Sequence, residues 1–288
     1  MSGKVFGTEA QPIDAELAPH IQNAIIAEIH AEYPDIVTIP LGSVGKKTTP
    51  SGDIDLGIKC ESRDELEKIV DKVFGYLETK VIESYYIVSI KYPYKVNDED
   101  IKYVSCDFIQ VVDENYTEFR YECPDYTKNE SAYKTGMKIM FTSMILNHCQ
   151  ERNANMAAGY YGKYDFTPIG LYLYSINIEN IMDYTYDFVT TNVDDIIHLP
   201  FNEKGSWDDF HSVETLWAAI HSDKFKYVDE LKIIELNWFI NSYKKGWYSI
   251  KPEDFKLSYW TADEINKKLE FYKGLQKINY MINKGKEI

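Results

Sequence analysis

Apolar residues recur along the chain with two periods, one helical and one strand-like, and the switches between them lay out the elements. Between Ala18 and Tyr33, the positions Ile21, Ala24, Ile25 and Ile29 fall three and four apart and mark one stripe of a helix. Pro19 is tolerated in its first turn and Pro34 ends it. The run Ile36 to Leu41 then reads as a strand entering a tight turn at Gly42-Ser43. After a polar loop the chain returns as a second strand, Asp53-Ile54-Asp55-Leu56-Gly57-Ile58. Ser62-Arg63-Asp64-Glu65 is a capping box, and the helix it opens carries Leu66, Ile69, Val70, Val73, Phe74 and Leu77 to about Glu78. Two β-rich runs follow, Val81–Val96 and Ile101–Val112, separated by Asn97-Asp98-Glu99-Asp100 and expected to pair as an antiparallel hairpin.

Beyond a looser stretch, Asp113 to Asn129, Ser131 is placed to cap a helix running to about Cys149. Gly159 to Ile178 is rich in Tyr and Phe, and its tail GLYLYSI alternates like a strand. A nucleobase could stack on such rings, although cores and sheets use them freely. From Val189 the character is helical, with candidate helices at Val193–Ile197, Ser212–His221 and Lys224–Tyr243. Apolar residues of the last cover more than one face, which predicts burial between neighbours. Thr261-Ala262-Asp263-Glu264 is a second capping box, opening a final helix through Ile265, Leu269, Tyr272, Leu275, Ile278 and Ile282. This order predicts an α+β fold: a small mixed sheet with flanking helices over residues 1–128, then a mostly helical domain over 129–288.

Composition narrows the function classes. The formal net charge is −15, from 31 basic and 46 acidic residues. That balance argues against a broad electrostatic grip on nucleic acid, which depends on neutralising phosphates with Lys and Arg. The excess of lysine after Lys232 is better explained as a solvated helix face. No segment has the uninterrupted apolar length of a membrane span, and the N-terminus lacks the apolar centre of a signal peptide. Four cysteines without Cys-x-x-Cys spacing suit reduced thiols, so a cytoplasmic protein with no membrane partner is expected. The six histidines show no metal-ligand spacing.

The chemistry gathers at Leu41 to Ile58. Alternation along the second strand puts Asp53 and Asp55 on one face and Ile54 and Leu56 on the other. Adjacent carboxylates repel, and a fold seldom keeps such a pair without a cation or a shared proton between them. Hard oxygen ligands at this spacing suit Mg²⁺, which commonly sits between carboxylates and substrate phosphates. Backbone N–H groups of the Gly42-Ser43 turn and the Ser43 hydroxyl could hold a phosphate beside it. In the strand-like run Tyr103 to Val112 the one acid is Asp107, on the face of Ser105 and Ile109. Three carboxylates converge if this strand lies beside that of Asp53.

Gly-Ser, a loop of Val44 to Gly52, Asp-x-Asp between apolar residues, and a later strand with a third acid resemble the signature of the DNA polymerase beta-like nucleotidyltransferase superfamily. The resemblance implies transfer of a nucleoside monophosphate from an NTP to a hydroxyl acceptor with loss of pyrophosphate. It also implies two Mg²⁺ ions, or Mn²⁺, held by Asp53, Asp55 and Asp107, with Asp107 on the metal that activates the acceptor hydroxyl. Gly42 and Ser43 would hold the β- and γ-phosphates. Lys134 and Lys138, spaced i, i+4 on the helix after the third acid, would reach the triphosphate. Lys46 and Lys47 in the loop rank below Ser43 for phosphate contact. An RNA 3′ end is the expected acceptor. The other branches of the superfamily imply a small molecule, a protein hydroxyl or another nucleotide instead. A catalytically silent binding module of the same fold would be expected to have lost one of the three acids.

Overall fold

A computed structural model describes residues 5–46, 48–82, 86–96, 100–121, 135–149, 160–177, 179–180, 182–244, 257–261, 263–271 and 273–274. The described residues form a mixed α+β fold. Helix α1, Ala18–Glu32, leads into strand β1, Thr38–Leu41, and strand β2, Ile54–Lys59. Helix α2, Arg63–Phe74, is followed by β3, Thr79–Ile82, β4, Ile87–Lys95, and β5, Ile101–Val111. These five strands make one sheet in the order β1-β2-β5-β4-β3. The expected hairpin is present, with β4 antiparallel to β5, while β2 and β5 run parallel at the centre.

The core lies on one face of this sheet. Ile54, Leu56, Cys106, Phe108, Val88 and Ile90 pack there with Ile25 and Ile29 of α1 and Leu66, Ile69, Val70 and Phe74 of α2. Ala24 of the predicted α1 stripe is exposed, and Gln22 takes a buried place instead. The Gln22 side chain is satisfied there by donating from Nε2 to the Asp55 carbonyl at 3.2 Å. Ser62 caps α2 as predicted, its side chain accepting from Glu65 N. That helix stops at Phe74, short of Glu78, where Gly75 interrupts it.

The stretch expected to be loose after β5 holds a helix, α3, Glu114–Tyr121. Asp113 Oδ1 accepts from Tyr116 N at 2.8 Å and satisfies its first turn. Tyr116, Phe119 and Arg120 form its buried side. Its apolar signal is short and interrupted by polar residues, which hid it from a periodicity search. Helix α4, Thr135–Cys149, follows. Ser131, its predicted cap, lies outside the described residues.

Strands β6, Tyr160–Thr167, β7, Gly170–Asn177, and β8, Tyr184–Thr190, form a second, antiparallel sheet within the region expected to be mostly helical. Helices α5, Val193–His198, and α6, Val213–Ile220, come next, capped by Asn192 and Ser212. The chain divides into two compact units, Met1–Lys226 and Tyr227–Ile288, and the sequence-based division at 128/129 falls within the first.

In the second unit, helix α7, Leu231–Lys244, starts later than Lys224, behind a 3-10 turn at Val228–Glu230. Its buried Glu235 accepts from the backbone N–H of Ser258 and Tyr259, each at 3.0 Å. The Thr261–Glu264 capping box is present in both directions, at 2.9 and 3.3 Å. No helix among the described residues is long and apolar enough to cross a membrane.

Candidate metal centre

Cross-strand register builds the site. β2 and β5 pair so that Asp55 stands beside Asp107, on the sheet face opposite the core, and β4 sets Ser89 beside Asp107 on its other side. Asp53 enters from the residue before β2. One carboxylate oxygen from each of Asp53, Asp55 and Asp107 lies within 4.8 Å of the others, so the convergence expected from alternation is met. Among the described residues this is the group of His, Cys, Asp or Glu side chains placed to hold a metal ion. Hard oxygen donors at this separation fit a small divalent cation.

The three acids differ in environment. Asp107 is fully buried, and its Oδ1 accepts from Ser89 Oγ at 2.7 Å and Ser105 Oγ at 3.2 Å. Asp53 and Asp55 are partly exposed, which leaves the cluster open at the start of β2. Burial among protein groups, then the charges of Asp53 and Asp107, hold the Asp55 carboxyl well above its ordinary value of 3.8. A cation among the three would relieve that repulsion.

The folded chain without metal binds the Asp55 proton more tightly than the unfolded chain does. Asp55 therefore costs stability progressively as pH rises from the ordinary carboxylate value through the raised one. Asp55→Asn should match the wild type near pH 4 in chelator and become increasingly the more stable protein towards neutral pH. Thermal unfolding of both proteins across that range, with and without Mg²⁺, checks this. A constant difference across the range would exclude the repulsion.

The Gly42-Ser43 turn closes over the same acids. Leu41 pairs with Asp55, and Gly42 follows in the left-handed region at φ 68°. A Cβ at Gly42 would overlap Asp55 Oδ2 and lie 3.0 Å from its Cγ. Ser43 is half-buried, its Oγ 3.4 Å from Ser51 Oγ. Ser51 is in turn tied to Ile13 by two backbone bonds of 2.8 Å, which anchors the end of the loop. Lys46 is exposed, and Lys47 lies outside the described residues.

Of the two helix lysines expected to meet a triphosphate, Lys134 lies outside the described residues. Lys138 is buried, and its Nζ donates to the Phe119 carbonyl at 2.7 Å. The close packing of α4 against α3 directs this ammonium to the end of α3.

Sequence reasoning missed Ser89, Arg120 and Tyr121, and placed Ser105 on the face of Asp107 without giving it a role. Burial raises the Tyr121 hydroxyl, the Arg120 charge lowers it, and Asp55 and Asp107 add to the rise, so the end of α3 lies within electrostatic reach of the acids. The Arg120 guanidinium sits 4.7 Å from the Tyr121 ring centroid. Only knowledge that β5 continues into a helix could have singled these two out. Ser89 becomes visible only once the β4–β5 register is known.

Ser89→Ala should weaken Mg²⁺ binding by about tenfold or more, since partners that orient a metal ligand commonly contribute 10–100-fold in affinity. Ser105→Ala, which removes the longer bond, should cost less. Calorimetric titration of both variants with Mg²⁺ tests the order. No protein-family model matches the chain, and no curated protein matches it.

Proposed function

We propose that the protein is a nucleotidyltransferase of the polymerase beta-like kind, moving a nucleoside monophosphate from an NTP to a hydroxyl acceptor, with an RNA 3′ end as the first choice of acceptor. The observation that supports this most strongly is the convergence of Asp53, Asp55 and Asp107 on one sheet face under the Gly42-Ser43 turn.

Asp53, Asp55 and Asp107 are the residues that would hold Mg²⁺, two ions by analogy, or Mn²⁺. Bound there, such cations supply the positive charge that stabilises developing negative charge on the transferred phosphoryl group and on its leaving oxygen. Asp107 takes the proton of the acceptor hydroxyl, as a buried carboxylate oriented by two serines is suited to do. The acceptor oxygen forms a bond to the α-phosphorus as the bond to pyrophosphate breaks. Gly42 and Ser43 offer N–H and O–H donors to the β- and γ-phosphates.

The deciding experiment incubates the full chain with each labelled NTP and Mg²⁺, in separate reactions with mixed RNA, with nucleotide alone, and with small hydroxyl acceptors. Mass spectrometry of the products identifies the acceptor. Magnesium-dependent label on any of them supports the assignment, and label on none removes it.

A further inference from the structure

Residues 5–12 form neither helix nor strand, yet they run over β3 and β4 on the sheet face that bears the acids. Lys80 of β3 stands opposite Ser89, which stands opposite Asp107, and Lys91 follows Ser89 by two, so all four share that face. The segment is tied to the two lysines in turn. Lys80 Nζ donates to the Val5 carbonyl at 3.0 Å and lies 4.7 Å from the centre of the buried Phe6 ring. Lys91 Nζ donates to the Glu9 carboxylate at 2.6 Å. Gln11 N then donates to the Tyr103 carbonyl at 2.9 Å, on the part of β5 that precedes its pairing with β2. Ile13 completes the crossing through its two bonds to Ser51, two residues before Asp53.

The strap therefore ends on the loop that carries Ser43, and it bears on both ends of that loop. Val44, next to Ser43, is buried in the same apolar cluster as Ile13 and Ala18. Ser51, 1% exposed, closes the loop with its Oγ 3.4 Å from Ser43 Oγ. Beyond Ile13 the chain turns into α1, whose Gln22 bonds the Asp55 carbonyl. One continuous stretch thus links β3 and β4 to the loop and to the strand of two of the acids. Its own hold is sparse. Phe6, Ala10 and Ile13 are buried, while Gly7, Thr8, Glu9, Gln11 and Pro12 are exposed. Segments with so few buried apolar side chains open locally at little cost.

We propose that residues 5–13 are a positioning strap for the nucleotide: seated, the strap holds the Ser43 hydroxyl over the acids through Ile13 and Ser51, so that its docking and the binding of an NTP favour each other. The proposal rests on the nucleotidyltransferase assignment and adds what sets the affinity of that site for its NTP. The coupling is reciprocal, because whatever the seated strap does for nucleotide affinity the bound nucleotide does for the strap. Phe6 and Glu9 are positioning residues in this arrangement, acting through Ile13.

Phe6→Ala, which removes a buried anchor, and Glu9→Lys, a surface change that sets like charges together beside Lys91, test it in the full chain. Each should raise KM for the NTP that yields label by about fivefold, the low end of coupling between two sites, with kcat nearly unchanged. A strap that only stabilised the fold would lower the amount of active protein and leave KM as it is. Amide hydrogen exchange gives the converse reading. With Mg²⁺ and the non-transferable α,β-methylene analogue of the same NTP, exchange over residues 5–13 of the wild type should slow by a similar factor. Without nucleotide, the Ser51 amide, which donates to the Ile13 carbonyl, should exchange faster in both variants than in the wild type. Label transferred with KM unchanged in both variants, or with no slowing of exchange in the strap, overturns the strap and leaves the nucleotidyltransferase assignment standing. Label transferred to no acceptor overturns the assignment, and the strap's role with it.

Discussion

Asp107→Asn should cripple nucleotidyl transfer, lowering the rate by about 10²–10³-fold, the scale on which removing a single charge-stabilising group acts in such sites. The substitution is nearly isosteric. The amide oxygen can still accept from Ser89 and Ser105, which keeps the two bonds that orient the side chain. What disappears is one of the three charges that hold the cation and the carboxylate that accepts the acceptor's proton. Two readings of melting temperature separate this from simple misfolding. In chelator the variant should melt no lower than the wild type, because one source of repulsion among three neighbouring carboxylates is gone. With Mg²⁺ at about ten times its dissociation constant, the wild type should gain about 1.4 kcal/mol, or a few degrees. The variant should gain much less. A variant that transfers label at the wild-type rate would remove Asp107 from the mechanism.

Gly42→Ala should damage both stability and activity, for separable reasons. At φ 68° an alanine costs about 1–2 kcal/mol in backbone strain. The new methyl would also occupy the space of Asp55 Oδ2 and push that carboxylate out of the cluster. Displacing a metal ligand by this amount should reduce transfer by about 10²-fold. Gly45→Ala supplies the control. Gly45 has the same backbone hand, at φ 73°, but a Cβ there would meet only Pro19 Cγ at 4.0 Å. Its melting temperature should drop comparably while its transfer rate stays close to wild type. If both variants lose activity equally, strain in the loop rather than contact with Asp55 is responsible. Chemical denaturation and single-turnover transfer, measured on both, decide between the two causes.

Cys60 and Cys106 are poor candidates for any role in this chemistry. Burial pushes the Cys60 thiol up to about 12 and holds Cys106 well above its usual value, so neither is a ready nucleophile at neutral pH.

Local pattern went far in this chain. Alternation along Asp53 to Ile58 correctly put the two acids on the face opposite Ile54 and Leu56, because successive strand residues always face opposite ways. The Gly-Ser turn, the β4–β5 hairpin and the caps at Ser62 and Thr261 were equally legible, since each depends on residues within a few positions of one another. Helix α3 was not, being short, polar in part and stabilised by packing more than by its own pattern, and neither was strand β8, which is exposed along its length and held by its pairing with β7. What the sequence settled by itself was the inventory: which side chains carry charge, and which face of its own strand each occupies. Only the tertiary structure decided their company. Asp55 and Asp107 are 52 residues apart and meet through the β2–β5 register, where a slip of one residue would turn Asp107 into the core. The same packing brought Ser89 and Tyr121 to the acids, and it buried Lys138 against a carbonyl that no spacing along the chain could have named.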